Sequence, residues 1–216
     1  MKKIAVFGGS FSPVHKGHMA VAAGILSEGL ADEVWMIPCK RNPLKDNSPQ
    51  ISDDLRFELM EKAVEYTVRT DGIQPDRIRI SDVELQMPAP SYTYKTLQYL
   101  QKTHPDSEFR LAVGADSLEK FSQWKNSKWI RENFQFIVYP RPGTEIERSL
   151  SGITYLDNMK RVGVSSTEIR ESLQRGEQGE KDKIEENVLE GMPWLKDDEK
   201  LKNRLKQTFG KITRAN

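Results

Sequence analysis

The segment IAVFGGSFSPVHKGH, residues 4–18, decides the fold that we predict for this chain. Residues 4–7 form a continuous apolar run rich in branched side chains, and Gly8 and Gly9 end it. Such a run is typical of a strand buried inside a parallel sheet. From His18 onward, apolar residues recur at helical spacing, at Val21, Ala22, Ile25, Leu26 and Leu30. The segment therefore predicts a strand, a glycine-containing turn and a helix.

The same alternation of strand and helix continues along the chain. Apolar runs predict further strands near 33–38, 77–83, 109–113, 134–139 and 153–156. Helical spacing predicts helices that begin near Ser52, near 91–93 and near 166. This order predicts an α/β, Rossmann-like fold with a doubly wound parallel sheet and helices on both faces. Ligands of such sheets bind beyond the carboxyl ends of the strands, here in the loops after residues 7, 37, 83 and 113.

The composition changes after residue 176. Residues 177–190 contain six acidic residues and two lysines, and residues 196–216 contain seven basic and three acidic residues. Leu201, Leu205 and Phe209 follow one another at intervals of four, which is the spacing of one helix face. We therefore expect a domain over 1–176 and a charged, helical C-terminal extension over 177–216 that docks on it. A contact between copies in a homo-oligomer is the alternative use of this apolar stripe.

The bulk composition narrows the classes of function. The 216 residues include 33 Lys and Arg against 32 Asp and Glu, a net charge of +1, which argues against a broad surface for nucleic acid. Cys39 is the only cysteine, so an internal disulfide is excluded and a reducing compartment is favoured. The N-terminal apolar run is too short for a secretory signal, and no stretch approaches the roughly 18 apolar residues of a membrane span. We expect a cytoplasmic protein.

The loop after the first predicted strand favours a phosphate ligand. Glycines at a strand-to-helix turn let backbone amides approach a phosphate, and a helix N-terminus adds about half a positive charge there. His15 and His18 lie three residues apart at the helix start, so both imidazoles can face one anion. They can donate hydrogen bonds to it and take up positive charge as negative charge develops. One alternative is a metal site, for which His104 and Cys39 lie in unrelated segments. The other is simple helix capping or packing.

A second motif, VSSTEIR at 164–170, also begins a predicted helix. Ser165 and Glu168 fit the S-x-x-E capping box, and a well-capped helix is the simplest interpretation. Three consecutive hydroxyls, at Ser165, Ser166 and Thr167, and Arg170 one turn later would also suit a triphosphate. The pattern by itself leaves both interpretations open.

The two motifs together resemble the paired signature of the HxGH nucleotidyltransferase superfamily. Within it, the chain is most similar to the bacterial nicotinate-nucleotide adenylyltransferases. The similarity extends from residue 1 to about 175 and includes Pro43, Lys45, Arg56, APSYTYKT (89–96), Gly114–Ser117, Trp124 and FIVYPRPG (136–143). The resemblance implies that ATP and nicotinate mononucleotide react to give deamido-NAD and pyrophosphate, a step of NAD biosynthesis. It also implies Mg²⁺ bound with ATP and no metal site of the protein itself.

The resemblance assigns roles to individual residues. It implies that His15, His18, Lys45 and Arg170 are catalytic, and that the two histidines contact the ATP phosphates in the transition state. Further ATP-binding residues would be Gly8, Gly9, Ser10, Phe11, Gly114, Asp116, Ser165, Ser166 and Thr167. Lys45 would reach a phosphate from the long polar loop at 40–51, which is a candidate lid.

The resemblance places the pyridine mononucleotide at Ser91, Tyr92, Thr93, Lys45 and Trp124. The backbone at Tyr92 and Thr93 would bind the nicotinate carboxylate, and Trp124 would stack on the ring. A tryptophan is more often a packed core residue, but the polar neighbours at 123, 125 and 126 predict an exposed indole. A pyridinium against indole gains about 0.5–2 kcal/mol as a cation–π pair.

Two positions depart from the family pattern. Ser12 stands where the family usually has Asp, and Leu44 stands where a His usually precedes the loop lysine. Three alternative functions stay open at this point. The acceptor would be nicotinamide mononucleotide or phosphopantetheine in two of them, and the third is a non-catalytic nucleotide-binding regulator, which the two departures favour.

Overall fold

The computed structural model describes residues 1–44, 51–141, 143–144, 151–159, 162–175 and 181–210. Lys45 and half of the predicted lid at 40–51 lie outside the described residues, as does the predicted boundary at 176–177.

Six parallel strands form one sheet in the order β3-β2-β1-β4-β5-β6. They are β1 (Lys2–Gly9), β2 (Glu33–Pro38), β3 (Ile78–Ile80), β4 (Ser107–Gly114), β5 (Gln135–Tyr139) and β6 (Ile153–Tyr155). Val6 in β1 lies opposite Trp35 of β2 on one side and Leu111 of β4 on the other. After β1, the chain adds β2 and β3 on one side of it, and it then adds β4, β5 and β6 on the other side. This order confirms the predicted doubly wound parallel sheet and puts the switch point between β1 and β4.

Helices lie between the strands and after the last one. They are α1 (Lys16–Ser27), α2 (Asp53–Asp71), α3 (Val83–Gln86), α4 (Thr93–Thr103), α5 (Ala115–Glu119), α6 (Ser127–Asn133), α7 (Ser166–Arg175), α8 (Lys181–Gly191) and α9 (Glu199–Gly210). The predicted cap of α2 is present, because the Ser52 hydroxyl accepts a hydrogen bond from the Leu55 N–H at 3.3 Å. Within the described part of the chain, none of these helices has the length and apolar character that crossing a bilayer requires.

The strand predicted over 77–83 is wrong at its end. Only Ile78–Ile80 pairs with β2, and residues 83–86 form the short helix α3. Val83 and Met87 explain the difference, since they lie four residues apart and both pack into the same apolar cluster. Residues four positions apart lie on one face of a helix, and Val83, the first of this pair, is the last residue of the run that we assigned to a strand.

The two faces of the sheet carry separate apolar clusters, which confirms helices on both faces. Phe7 and Met36 point to the face covered by α1, α2, α7, α8 and α9. Val6 and Trp35, their neighbours along the strands, point to the face covered by α3, α4 and α6. Alternation along each strand therefore divides the core in two, as the period of a strand requires.

The extension packs on the first of these clusters. Leu201, Leu205 and Phe209 are 1%, 0% and 0% exposed, so the apolar stripe predicted for the tail faces the protein. A Cβ on Gly191 would lie 3.0 Å from the side chains of Ile169 and Val164, so α8 lies directly against the start of α7. Residues on both sides of the predicted boundary share this core, and a domain limit at 176 stays a prediction.

Candidate active site

A cavity of about 650 Å³ opens at the carboxyl edge of the sheet, where the fold predicts a ligand site. It runs from the switch point to the start of α4. Its lining comes from the loops after β1, β2 and β4, from the start of α4 and from the segment before α6, and includes Gly8, Gly9, Asn42, Leu44, Ser91, Tyr92, Thr93, Gly114, Asp116 and Trp124.

The start of α1 is closed by its two histidines. His15 is the N-cap, and its Nδ1 accepts a hydrogen bond from the Gly17 N–H at 3.1 Å. The His15 N–H in turn donates to Nδ1 of His18 at 3.2 Å, which completes a reciprocal capping box. Because each Nδ1 accepts a hydrogen bond, the proton of each imidazole is on Nε2. Capping and phosphate binding therefore use different nitrogens, and the two interpretations of this motif are compatible.

His15 acts as a neutral donor. Its side chain is buried, at 2% exposure. Burial, with a smaller contribution from the nearby Arg141 guanidinium, lowers the pKa of His15 from 6.5 to about 3. The sequence led us to expect imidazoles that take up positive charge, and this does not hold for His15 near neutral pH. His18 is less buried, and the two rings lie 3.8 Å apart between centroids.

The start of α7 has the capping box that the sequence predicts. The Ser165 hydroxyl accepts a hydrogen bond from the Glu168 N–H at 3.2 Å, and the Glu168 carboxylate accepts one from the Ser165 N–H at 2.7 Å. This confirms the simplest interpretation of VSSTEIR. The box uses only Ser165 and Glu168, so the hydroxyls of Ser166 and Thr167 can form other hydrogen bonds.

Direct hydrogen bonds fasten the start of α7 to the loop before α1. The Ser166 hydroxyl donates to the carbonyl of Pro13 at 2.9 Å, and Arg170 Nη1 donates to the carbonyl of Ser12 at 2.8 Å. Arg170 Nη2 also donates to the Thr167 hydroxyl at 3.0 Å. The two motifs, about 150 residues apart in sequence, thus meet at one place. Two helix N-termini converge there, which is an electropositive arrangement.

The loop between β1 and α1 is shaped by the ring of Phe11. A Cβ on Gly9 would lie 3.0 Å from that ring, so any larger residue there would require the ring to shift. Phe11 has a φ of 44°, an uncommon value for a non-glycine residue, and its ring packs edge-on to Phe7 at 5.5 Å and to His18 at 5.0 Å. Its side chain is 1% exposed and supports the His18 ring from the core, and its assignment to ATP stays a prediction. Gly8 faces open space at the cavity.

Arg56 forms a hydrogen bond to the backbone of this loop, a role that the sequence did not suggest. The residue is fully buried in α2. Its Nη1 donates to the carbonyl of Ser10 at 2.9 Å and to that of Cys39 at 2.7 Å, and its Nη2 pairs with Asp53. Arg56 therefore joins the loops after β1 and β2. The family resemblance includes Arg56 without assigning it a role, and the local pattern is only an arginine next to the apolar face of an amphipathic helix.

The start of α4 is built differently from that of α1. Tyr92 is its N-cap and provides no side-chain capping bond. Ser91 is fixed by the loop after β2, because its hydroxyl accepts from the Lys40 N–H at 2.9 Å and its N–H donates to the Arg41 carbonyl at 2.9 Å. The first amides of α4 thus lie at the cavity wall without a side-chain cap. An uncapped helix N-terminus is suited to an anion.

Trp124 and Asp116 line the same cavity as Tyr92 and Thr93. The indole of Trp124 is half-buried and packs on Phe121 at 5.4 Å, so it is both a packed aromatic and part of the wall. Asp116 lies 3.6 Å from Nε of Arg141. A Cβ on Gly114 would collide with the Asp116 carboxylate, which explains glycine at that position. We assigned Gly114 and Asp116 to ATP, and their exact ligand stays a prediction.

The described residues hold no group of three or more His, Cys, Asp or Glu side chains arranged to bind a metal ion. His15 and His18 are in contact with each other, and each uses Nδ1 within the helix cap. The site as described therefore offers hydrogen-bond donors and helix N-termini to a ligand.

Comparisons with known proteins agree with this arrangement. A family model described as Cytidylyltransferase-like matches residues 6–172. A curated relative from Bacteroides fragilis, named "Probable nicotinate-nucleotide adenylyltransferase", is 38% identical over 176 residues, which are 81% of this chain and 83% of the relative. A relative of the same name from Clostridium tetani is 34% identical over 188 residues, 82% of this chain and 90% of the relative.

A solved structure supports the fold. The nicotinic acid mononucleotide adenylyltransferase of Plasmodium falciparum complexed with NaAD superposes with a TM-score of 0.75 and 20% identity, over 94% of this chain and 98% of that chain. The identity is low, so this likeness concerns the fold alone. The family match over most of the sequence and the identity to the curated relatives go further: the chain belongs to the cytidylyltransferase-like family and, within it, to the nicotinate-nucleotide adenylyltransferases, which are nucleotidyltransferases.

Proposed function

We propose that the protein transfers the AMP part of ATP to nicotinate mononucleotide, which gives deamido-NAD and pyrophosphate. The observation that carries this proposal is the junction of the two motifs, where Ser166 bonds to Pro13 and Arg170 to Ser12. Gly8 and Gly9, which lead into the loop of this junction, line the cavity together with the uncapped start of α4. The names of the curated relatives support the same reaction.

The phosphate of the mononucleotide would attack the α-phosphorus of ATP in line, so that the P–O bond to pyrophosphate breaks as the new one forms. A phosphate is already an anionic nucleophile, so no general base is required. Catalysis then consists of positioning and of stabilising charge on the phosphoryl oxygens. The Nε2–H groups of His15 and His18 are the side-chain donors that we assign to this task.

The leaving pyrophosphate would lie against the start of α7. The donors that we assign to it are the first amides, the hydroxyls of Ser165 and Thr167, and the guanidinium of Arg170; Ser166 would contribute its N–H, because its hydroxyl donates to the Pro13 carbonyl. Arg170 stays cationic near neutral pH although burial lowers its pKa, because an arginine titrates far above that range. Its bond to the Ser12 carbonyl also keeps the charge next to the loop before α1.

The nicotinate carboxylate would meet the backbone amides at Tyr92 and Thr93, and the pyridine ring would stack on Trp124. Lys125 Nζ lies 4.9 Å from the centre of the Tyr92 ring, so a further positive charge lies at this wall. Lys45 is assigned to a phosphate from the sequence resemblance. ATP would arrive as its magnesium complex, with Mg²⁺ held by phosphate oxygens as part of the substrate.

The two departures from the family pattern leave these groups in place. Ser12 accepts the Arg170 bond through its backbone carbonyl, which any residue provides. Leu44 is 50% exposed at the cavity wall. These observations favour an active enzyme over a non-catalytic regulator. A cytoplasmic location remains a proposal from the sequence.

A pyrophosphate-release assay tests the proposal. The protein is incubated with MgATP and, in separate reactions, with nicotinate mononucleotide, nicotinamide mononucleotide or phosphopantetheine. We expect release with nicotinate mononucleotide at a kcat/KM well above that for the other two. Preference for another acceptor would overturn the substrate, and no release with any of them would favour the regulator.

A further inference from the structure

Glu84 is a buried carboxylate at the acceptor side of the cavity to which neither motif assigns a role. It lies in α3, is 6% exposed, and contributes to the cavity wall. Burial raises the pKa of Glu84, while hydrogen bonds from the Thr96 and Ser91 hydroxyls lower it in part. The Thr96 bond to Oε1 is 2.7 Å long. A charged group in such a place is costly unless it is well bonded.

These bonds hold both ends of one short segment. Ser91 immediately precedes Tyr92 and Thr93, and Thr96 lies in the first turn of α4. The Ser91 hydroxyl accepts from the Lys40 N–H at 2.9 Å, and it lies close enough to Glu84 to stabilise the carboxylate. Hydrogen bonds thus join the loop after β2 to Ser91 and Glu84 to the first turn of α4, with Ser91 beside Glu84.

These hydrogen bonds take the place of a cap. Tyr92 gives α4 no side-chain cap. The first turn is held instead by the hydrogen bond from Thr96 to Glu84, and the residue before the cap by the hydrogen bond from the Lys40 N–H to Ser91. A cap of the ordinary kind would occupy the first amides, whereas Glu84 bonds only to side chains and leaves those amides at the cavity. An apolar residue of similar volume would fill the same space at lower desolvation cost, and it could not hold the two hydroxyls.

We propose that Glu84 is a positioning residue for the acceptor, which fixes Ser91 and Thr96 so that the amides between them point into the cavity. This inference rests on the proposed function, because it assumes that the nicotinate carboxylate binds those amides. Glu84 touches neither the reacting phosphates nor the motifs around His15 and Ser166. Its loss should therefore affect the acceptor and spare ATP.

Steady-state kinetics with each substrate varied separately tests the inference. We expect Glu84→Ala to raise the KM for nicotinate mononucleotide about tenfold, which corresponds to about 1.4 kcal/mol, and to change the KM for ATP less than about twofold. Glu84→Gln should recover most of the loss, because its amide oxygen still accepts from Thr96. Thr96→Val removes one donor at constant volume and should raise the acceptor KM about threefold.

Two control variants separate positioning from stability. Glu33 is 2% exposed and bonds to Trp35 Nε1 at 2.7 Å near the amino end of β2, and Thr67 is 4% exposed and bonds to the Ala63 carbonyl at 2.8 Å in α2. Glu33→Ala and Thr67→Val should lower the melting temperature and leave both KM values unchanged. They match Glu84→Ala and Thr96→Val in burial, and Glu33 also pairs with Lys2 and Arg79, so its loss removes more bonds than the loss of Glu84.

The outcomes are distinguishable. A wild-type protein that turns over nicotinate mononucleotide, with an unchanged acceptor KM in Glu84→Ala and Thr96→Val, overturns the inference alone. Equal increases in both KM values, or the same increases in the controls, also overturn it, because they indicate general destabilisation. A wild-type protein that is inactive with every acceptor overturns the proposed function and this inference together.

Discussion

The helices α1 and α4 begin at the same edge of the sheet, and their N-termini are finished in different ways. The start of α1 is closed by His15 and His18, which use Nδ1 for the cap and keep Nε2–H as a donor. The start of α4 has no side-chain cap, so its donors are backbone amides. In the proposed function, this one site obtains its anion donors from side chains at the start of α1 and from the main chain at the start of α4. Side-chain substitutions should therefore act strongly at α1 and weakly at α4.

The largest effect is expected from His18→Ala, which should lower kcat by at least about a hundredfold, as the loss of an oxyanion donor does. The rate of pyrophosphate release at saturating substrates measures it. His18→Asn is the control, because its side-chain oxygen can still accept from the His15 N–H but has no counterpart of Nε2–H. It should lose as much activity and less stability than His18→Ala. Normal kcat in either variant would end the role of His18 in catalysis.

The second effect concerns the stability of the α1 cap. Because the pKa of His15 is about 3 in the folded state and 6.5 when the side chain is fully solvated, the unfolded chain binds a proton that the native His15 does not, between these pH values. Stability should thus fall as the pH drops below about 6.5, by on the order of 2 kcal/mol at pH 5. Urea unfolding at pH 7.5 and pH 5 measures it, with His15→Asn for comparison. If His15→Asn lost as much unfolding free energy between pH 7.5 and pH 5 as the wild type, the loss would not come from His15 and a neutral, buried His15 would be contradicted.

The corresponding test at α4 removes one backbone N–H, because the donors assigned there belong to the main chain. Thr93 is the first residue of the helix, where proline is tolerated, and Tyr92 has the extended backbone that a following proline requires. Thr93→Pro should raise the KM for nicotinate mononucleotide about tenfold, as expected for a lost hydrogen bond to a charged group. Thr93→Ala keeps the amide and should change this KM less than about twofold. Equal effects of the two would mean that the side chain, not the amide, matters.

The smallest effect is expected at Trp124. Trp124→Ala should raise the KM for nicotinate mononucleotide about fivefold through loss of cation–π stacking, and leave the KM for ATP unchanged. Trp129 packs against Phe134 and does not line the cavity, so Trp129→Ala is the control and should change neither KM. If Trp124→Ala instead raised the KM for ATP, the assignment of the two ends of the cavity would be reversed.

Local patterns predicted well those parts of the site whose partners are close in sequence. The reciprocal capping box of Ser165 and Glu168 depends on a spacing of three residues, and it is present. The same holds for the strand and helix around Gly8 and Gly9. The strand over 77–83 was predicted too long because a strand and a short helix share one apolar run, and the helical spacing shows only when Val83 and Met87 are seen in one cluster.

Arg56 and Glu84 could not be found in this way. In the sequence each is a charged residue beside an apolar one, a pattern typical of a solvated helix surface. Both are buried because their partners come from other segments: Arg56 meets carbonyls at 10 and 39, and Glu84 meets hydroxyls at 91 and 96. A buried charge is stable only where such partners are already in place, and only the folded chain supplies them.

The sequence by itself determined the alternation of strands and helices, the two phosphate-type motifs and the apolar stripe of the last helix, because each depends on spacing along the chain. The tertiary structure decided how these parts act together. It fastened the start of α7 to the loop before α1, left His15 neutral, and fixed the start of α4 through Glu84. Such features depend on burial and on distances between remote segments, which packing alone sets.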